Sequence, residues 1–109
     1  MDGGGSMHSL IEVPHDHPAF AGHFPGVPVL PGAVLLDRVL KAIESRRGID
    51  LTRWRITSAK FLVLVRPGDT LHLEHELSAN GSIRFTVSAA NRTVAAGSLS
   101  QAVAPIDSA

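Results

Sequence analysis

Between His23 and Asp37 the chain reads H-F-P-G-V-P-V-L-P-G-A-V-L-L-D, and this stretch limits the fold more than any other. Pro25, Pro28 and Pro31 fall within seven residues of one another. Each ring holds φ at about −65° and biases the preceding residue toward extended backbone, so the segment reads as a stiff loop. After it the pattern turns helical. Leu35, Leu36, Val39, Leu40, Ala42 and Ile43 share one arc at about 100° per residue, with Ala33 at its edge. Asp37, Arg38, Lys41, Glu44 and Ser45 fill the other arc. The pattern predicts a helix over 32–46, roughly 22 Å long, stopped by Gly48 in a left-handed cap. A stiff loop that delivers a histidine to a helix start can preset a catalytic base. The same pattern also describes a plain Pro-rich connection with His23 at the surface. On periodicity alone, Asp37 belongs to a solvated face.

The rest of the chain is strand-like. Leu10, Ile11 and Val13 mark a short strand over 8–13, ending at Pro14. A long strand is expected over 53–65, rich in β-branched and aromatic residues, up to the turn Arg66-Pro67-Gly68-Asp69. Residues 70–78 alternate, with Leu71, Leu73, His75 and Leu77 on one face, so His75 reads as a packed, neutral core histidine. Asn80-Gly81 signals a hairpin. Ile83, Phe85 and Val87 alternate again, and a last strand over 93–103 follows Asn91-Arg92. One strand, one helix and four strands in meander order predict an α+β fold, an antiparallel sheet with a single long helix on its concave face.

Composition narrows the function. The 109 residues suffice for one domain, with 1–6 (M-D-G-G-G-S) read as a flexible linker, 7–105 as the domain and 106–109 as a tail. Ten basic and ten acidic residues balance without blocks of either sign, which favours neither nucleic acid nor an anionic membrane surface. No apolar run approaches the roughly 20 residues a membrane span needs. The absence of cysteine removes disulfides, thiolate nucleophiles and zinc–thiolate sites. No signal-peptide pattern is seen, and a reducing cytoplasm is the expected setting. His15-Asp16-His17 offers two imidazoles on a Pro-flanked loop but no committed third ligand, so it is read as a solvated loop rather than a metal site.

The run Gly22 to Asp37, G-H-F-P-G-V-P-V-L-P-G-A-V-L-L-D, resembles the signature of the hotdog-fold 3-hydroxyacyl-(acyl carrier protein) dehydratases. In that family a G-H-F-P-G-x-P-V-x-P-G loop precedes a central helix bearing Glu or Asp fourteen positions after the histidine, as Asp37 follows His23 here. Lys60-Phe61 and Pro67-Gly68-Asp69 are similar to the family's later strand and turn. The resemblance implies a hotdog fold, with the antiparallel sheet wrapped around one long central helix. It also implies elimination of water from a 3-hydroxyacyl thioester to give the trans-2-enoyl thioester, with neither metal nor organic cofactor.

By the same resemblance His23 takes the proton α to the thioester carbonyl. Asp37, contributed by the other subunit, helps the β-hydroxyl leave. The Gly32 N–H polarises the thioester carbonyl and the Val29 carbonyl orients the histidine ring, with Phe24 and Pro31 also on the substrate side. Elementary chemistry agrees: a helix N-terminus suits a developing enolate oxygen, and an enclosed carboxylic acid can keep a proton to donate. The implied partners are an acyl carrier protein carrying the 3-hydroxyacyl chain, and a second subunit, identical or a related hotdog protein.

The chain departs from the family in carrying Asp where most members with this loop have Glu. It also has Arg38 and Lys41 where Ala and Gln are usual. Lys41, one turn past Asp37, is placed to hold the carboxylate ionised. These departures point to an accessory dehydratase, for polyene or polyketide chains. The alternatives are a hotdog acyl thioesterase and a non-catalytic hotdog subunit paired with an active dehydratase.

Overall fold

Three apolar side chains one turn apart, Leu35, Val39 and Ile43, organise the fold by giving one helix a continuous buried stripe. The computed structural model describes residues 6–13 and 30–102. Helix α1 spans Gly32–Arg47, and Val34, Leu36, Leu40 and Ala42 flank the stripe half-buried. Each fully buried aliphatic side chain contributes about 2 kcal/mol relative to exposure. The helix runs one residue past its expected end and stops at the predicted cap, Gly48 with φ 67°, whose N–H donates to the Glu44 carbonyl at 2.8 Å. Arg46 and Arg47 in the last turn complement the negative end of the helix dipole.

The strands are β1 (Ser6–Glu12), β2 (Trp54–Phe61), β3 (Thr70–Leu77), β4 (Ile83–Ala89) and β5 (Arg92–Gln101). They form one antiparallel sheet in the order β1-β3-β4-β5-β2. Leu71, Leu73 and His75 of β3, Ile83, Phe85 and Val87 of β4, and Val94, Ala95 and Leu99 of β5 are buried. The α+β expectation and the alternation of β4 therefore hold, as does that of β3 up to His75, whereas Leu77, expected on the apolar face, is exposed at the strand end. The Asn80-Gly81 hairpin is present, with Gly81 at φ 89° and Ser78 N–H donating to Ser82 O at 2.8 Å. Ala90 and Asn91, both at positive φ (49° and 68°), turn β4 into β5.

The meander order is corrected. Only β3, β4 and β5 follow it; β2 lies beyond β5 at one edge and β1 beside β3 at the other. The Arg66–Asp69 turn does not close a β2–β3 hairpin. Its backbone bonds to the end of β1 instead, with Gly68 N–H to Val13 O at 2.8 Å and Val13 N–H to Asp69 O at 2.9 Å. The expected long second strand is also shorter, because Leu62 and Val63 both donate to the single carbonyl of Val94 and so break the ladder. Farther on, Val65 pairs with Leu30, just before the helix. β1 begins at Ser6, earlier than expected and inside the run set aside as linker.

Gly97 has a specific role in this order. A Cβ there would collide with the Ser58 carbonyl oxygen and the Phe85 ring. Its absence lets β2 approach β5 at the register shift between Ile56 and Ser58.

Candidate active site

The start of α1 is built for openness. Pro31 occupies the N-cap position with φ −60° and ψ 145°, and no side chain caps the helix. Its carbonyl accepts the N–H groups of Val34 and Leu35, each at 3.0 Å. The N–H groups of Gly32 and Ala33 have no carbonyl within the helix to meet, as the geometry of any first turn requires. They add to the positive end of the helix dipole, and no acidic side chain stands in the first turn to neutralise it. Leu30, buried and bonded through its N–H to Val65 O at 2.8 Å, anchors the chain just ahead of this point.

Gly32 faces an aromatic ring. A Cβ there would lie 3.2 Å from Phe61, so the missing side chain admits the ring against the helix start. Phe61 was expected as a strand residue, not as part of a site, and only its place beside Lys60 in the recurring K-F pair hinted at more. With Leu62 and Leu64 it leaves an exposed apolar strip beyond β2.

Asp37 lies five residues beyond Gly32, about 7.5 Å along the helix axis. It is exposed, as periodicity predicts, and its Oδ2 lies 3.2 Å from Lys41 Nζ, the side chains of Lys41 and Asp37 being 68% and 58% exposed. The predicted one-turn pairing of these residues is thus present. Arg38 is not part of it: its guanidinium donates to the Glu12 carbonyl at 3.0 Å and ties α1 to β1. Pro31, Gly32 and Asp37 therefore share one rigid element. His23, Phe24, Val29 and the His15-Asp16-His17 triplet lie outside the described residues. Among the described residues no group of three or more His, Asp or Glu is arranged to hold a metal ion.

At the other end of α1 a second polar contact is buried. His75 Nδ1 accepts a hydrogen bond from Arg47 Nε at 2.8 Å, and Arg47 also donates to the His75 carbonyl at 3.2 Å. Burial, reinforced by the charges of Arg47, Arg46 and His8, pushes the imidazole down to about 4 from 6.5. Sequence reasoning placed His75 in the core but missed its partner, because the helix was expected to end one residue before Arg47.

Residues 2–98 match the family model described as ApeI-like: ApeI dehydratase. The chain belongs to the ApeI-like family. Among curated relatives, the 3-hydroxyacyl-[acyl-carrier-protein] dehydratase FabZ of Chlamydia trachomatis is 38% identical over 98 residues, covering 78% of this chain and 64% of that protein. The FabZ of Pseudoalteromonas translucida is 34% identical over 82 residues, covering 67% and 55% respectively. The chain thus spans less than two thirds of the length of these relatives.

Solved structures share the fold. The dehydratase heterocomplex ApeI:P of Xenorhabdus doucetiae superposes with a TM-score of 0.72 at 23% identity, over 89% of this chain and 87% of that one. A protein of Erwinia carotovora subsp. atroseptica gives 0.71 at 29% identity, over 93% and 84%. The fluoroacetyl-CoA thioesterase FlK gives 0.62 at 18%, over 91% and 84%. The sheet and helix are those of a hotdog fold, which houses both dehydratases and thioesterases.

Proposed function

We propose that this chain is a dehydratase acting on 3-hydroxyacyl thioesters of an acyl carrier protein, in fatty-acid or related polyene or polyketide synthesis. The observation that carries the reading is the register of one rigid helix. A helix N-terminus at Gly32 with no acid in its first turn and a carboxylate at Asp37 sit on one rod, and in the sequence His23 stands fourteen positions ahead of Asp37 in the Pro-rich run. Membership of the ApeI-like family and the likeness to FabZ enzymes support it.

In this reading His23 removes a proton from the carbon α to the thioester carbonyl. The charge that develops on the carbonyl oxygen is met by the Gly32 N–H and the positive end of α1. Asp37 passes a proton to the β-hydroxyl, the carbon–oxygen bond breaks, and water leaves with the trans-2-enoyl thioester formed. The proton gained by His23 balances the one lost by Asp37, and solvent resets both. The residues use neither metal nor organic cofactor for these steps. The Val29 carbonyl is assigned to orienting the His23 ring, and Phe24 and Pro31 to the substrate side of the site.

A proton donor works best where water is excluded, and the open face around Asp37 calls for a second surface. A two-fold partner is therefore part of the proposal, either a second copy or a related hotdog chain. The outer edge of β2, unpaired among the described residues, and the exposed Ile56, Phe61, Leu62 and Leu64 supply surface for it. The heterocomplex formed by ApeI:P favours the same arrangement.

The test is incubation with 3-hydroxyacyl-carrier protein followed by mass spectrometry. Loss of water is the expected result. Loss of the carrier would mean a thioesterase, and no change would mean a non-catalytic subunit. Mixing and refolding His23→Ala with Asp37→Asn protein tests the composite site. Random exchange should restore about a quarter of wild-type sites if each site joins two chains.

A further inference from the structure

His75 is the one buried polar or charged side chain among the described residues, with no measurable exposure. Its surroundings leave no room for a second charge. Because Nδ1 accepts from Arg47, the neutral ring carries its hydrogen on Nε2, which is buried and has no hydrogen-bond partner among the described residues. From α1 it faces Arg47 and Arg46, and from β1 the neighbourhood of Met7 and His8. From β4 it faces Phe85, which does not titrate. Among the described residues the carboxylates nearby are directed elsewhere. Glu74 accepts from Ser6, Glu76 pairs with Arg84, and Glu44 accepts the Leu51 N–H.

A proton added at Nδ1 would meet the Arg47 N–H donor head on, replacing a hydrogen bond by two facing donors and two like charges. Among the described residues no group in the core takes up the added charge, so relief comes from separating the two groups. Arg47 belongs to the last turn of α1, and a terminal turn opens more readily than the helix interior once its tie is broken. We propose that the Arg47–His75 contact is an acid-released latch: one proton on the imidazole frees the last turn of α1 from the sheet. Deprotonation restores the acceptor and closes the latch. The device concerns the helix that bears Asp37, but it does not depend on the dehydratase reading.

The experiment is hydrogen–deuterium exchange on the full chain at pH 7 and pH 5, for wild type and His75→Gln. Glutamine keeps a side-chain acceptor for Arg47 and cannot titrate. By linkage between an imidazole held at about 4 when packed and 6.5 when released, protection of the amides in 43–48 should fall about twentyfold in wild type. Protection in β4 and β5 should hold, and the variant should not show the fall. Unchanged wild-type protection, or an equal fall in the variant, would overturn the proposal. Imidazole nitrogen resonances of the wild-type protein give a second reading that needs no variant. A neutral ring protonated at Nε2 is expected at pH 6, whereas titration near 6.5 or an Nδ1–H form would overturn it.

Discussion

The two ends of α1 are finished in opposite ways. At the C-terminus three ties hold the helix: Gly48 closes the last turn, Glu44 accepts the Leu51 N–H, and Arg47 clamps both the side chain and the carbonyl of His75. At the N-terminus Pro31 offers no side-chain cap, the first turn holds no acid to answer the dipole, and the Asp37–Lys41 pair stands in solvent. A helix needs only one firmly held end to be positioned. The other can then be left under-satisfied, and unsatisfied N–H groups are what an anionic intermediate requires. The contrast predicts that changes near the first turns alter rate, whereas changes near the last turn alter stability.

The largest effect is expected at the open end. His23→Ala and Asp37→Asn should each lower the dehydration rate by about three orders of magnitude, with melting temperatures within about 2 °C of wild type. A His23→Ala protein that keeps more than about a tenth of the activity would remove His23 as the base. If Asp37→Asn raises only KM, the carboxylate positions substrate rather than moving a proton.

Arg47→Ala should invert that pattern. Leaving His75 Nδ1 buried without a donor is expected to cost roughly 2–3 kcal/mol, read as a lower urea midpoint at unchanged m-value. Activity per folded molecule should stay near wild type. A silent Arg47→Ala would mean that the C-terminal end is held by the apolar stripe alone. Gly48→Ala should cost less, about 1 kcal/mol. Nothing lies within 4 Å of the added Cβ, and only the left-handed backbone at φ 67° resists it.

Lys41→Gln should be the mildest change. An exposed one-turn ion pair contributes a few tenths of a kcal/mol to stability. The informative readout is instead the dehydration rate near neutral pH, which should rise by up to about threefold if the ammonium opposes proton transfer from Asp37. An unchanged rate would show that Lys41 is turned away from Asp37 during turnover.

How much was legible follows from how far the deciding interactions reach along the chain. The helix, its stop at Gly48 and the one-turn spacing of Asp37 and Lys41 depend on residues within a few positions of one another. So do the buried face of β3 with His75 and the turn at Asn80-Gly81. Periodicity and turn chemistry therefore determined them from the sequence by itself. The hotdog architecture was legible through the His23–Asp37 signature. Tertiary structure alone decided that β2 joins β5 rather than β3, because the Arg66–Asp69 turn gains backbone bonds from Val13 that no local pattern encodes. It also decided that Phe61 lies on Gly32 and that Arg47 reaches His75, pairs separated by 29 and 28 positions. Such contacts depend on the whole sheet bringing distant residues together, and a proline-stiffened loop or an amphipathic helix carries no local mark of which partner it will meet.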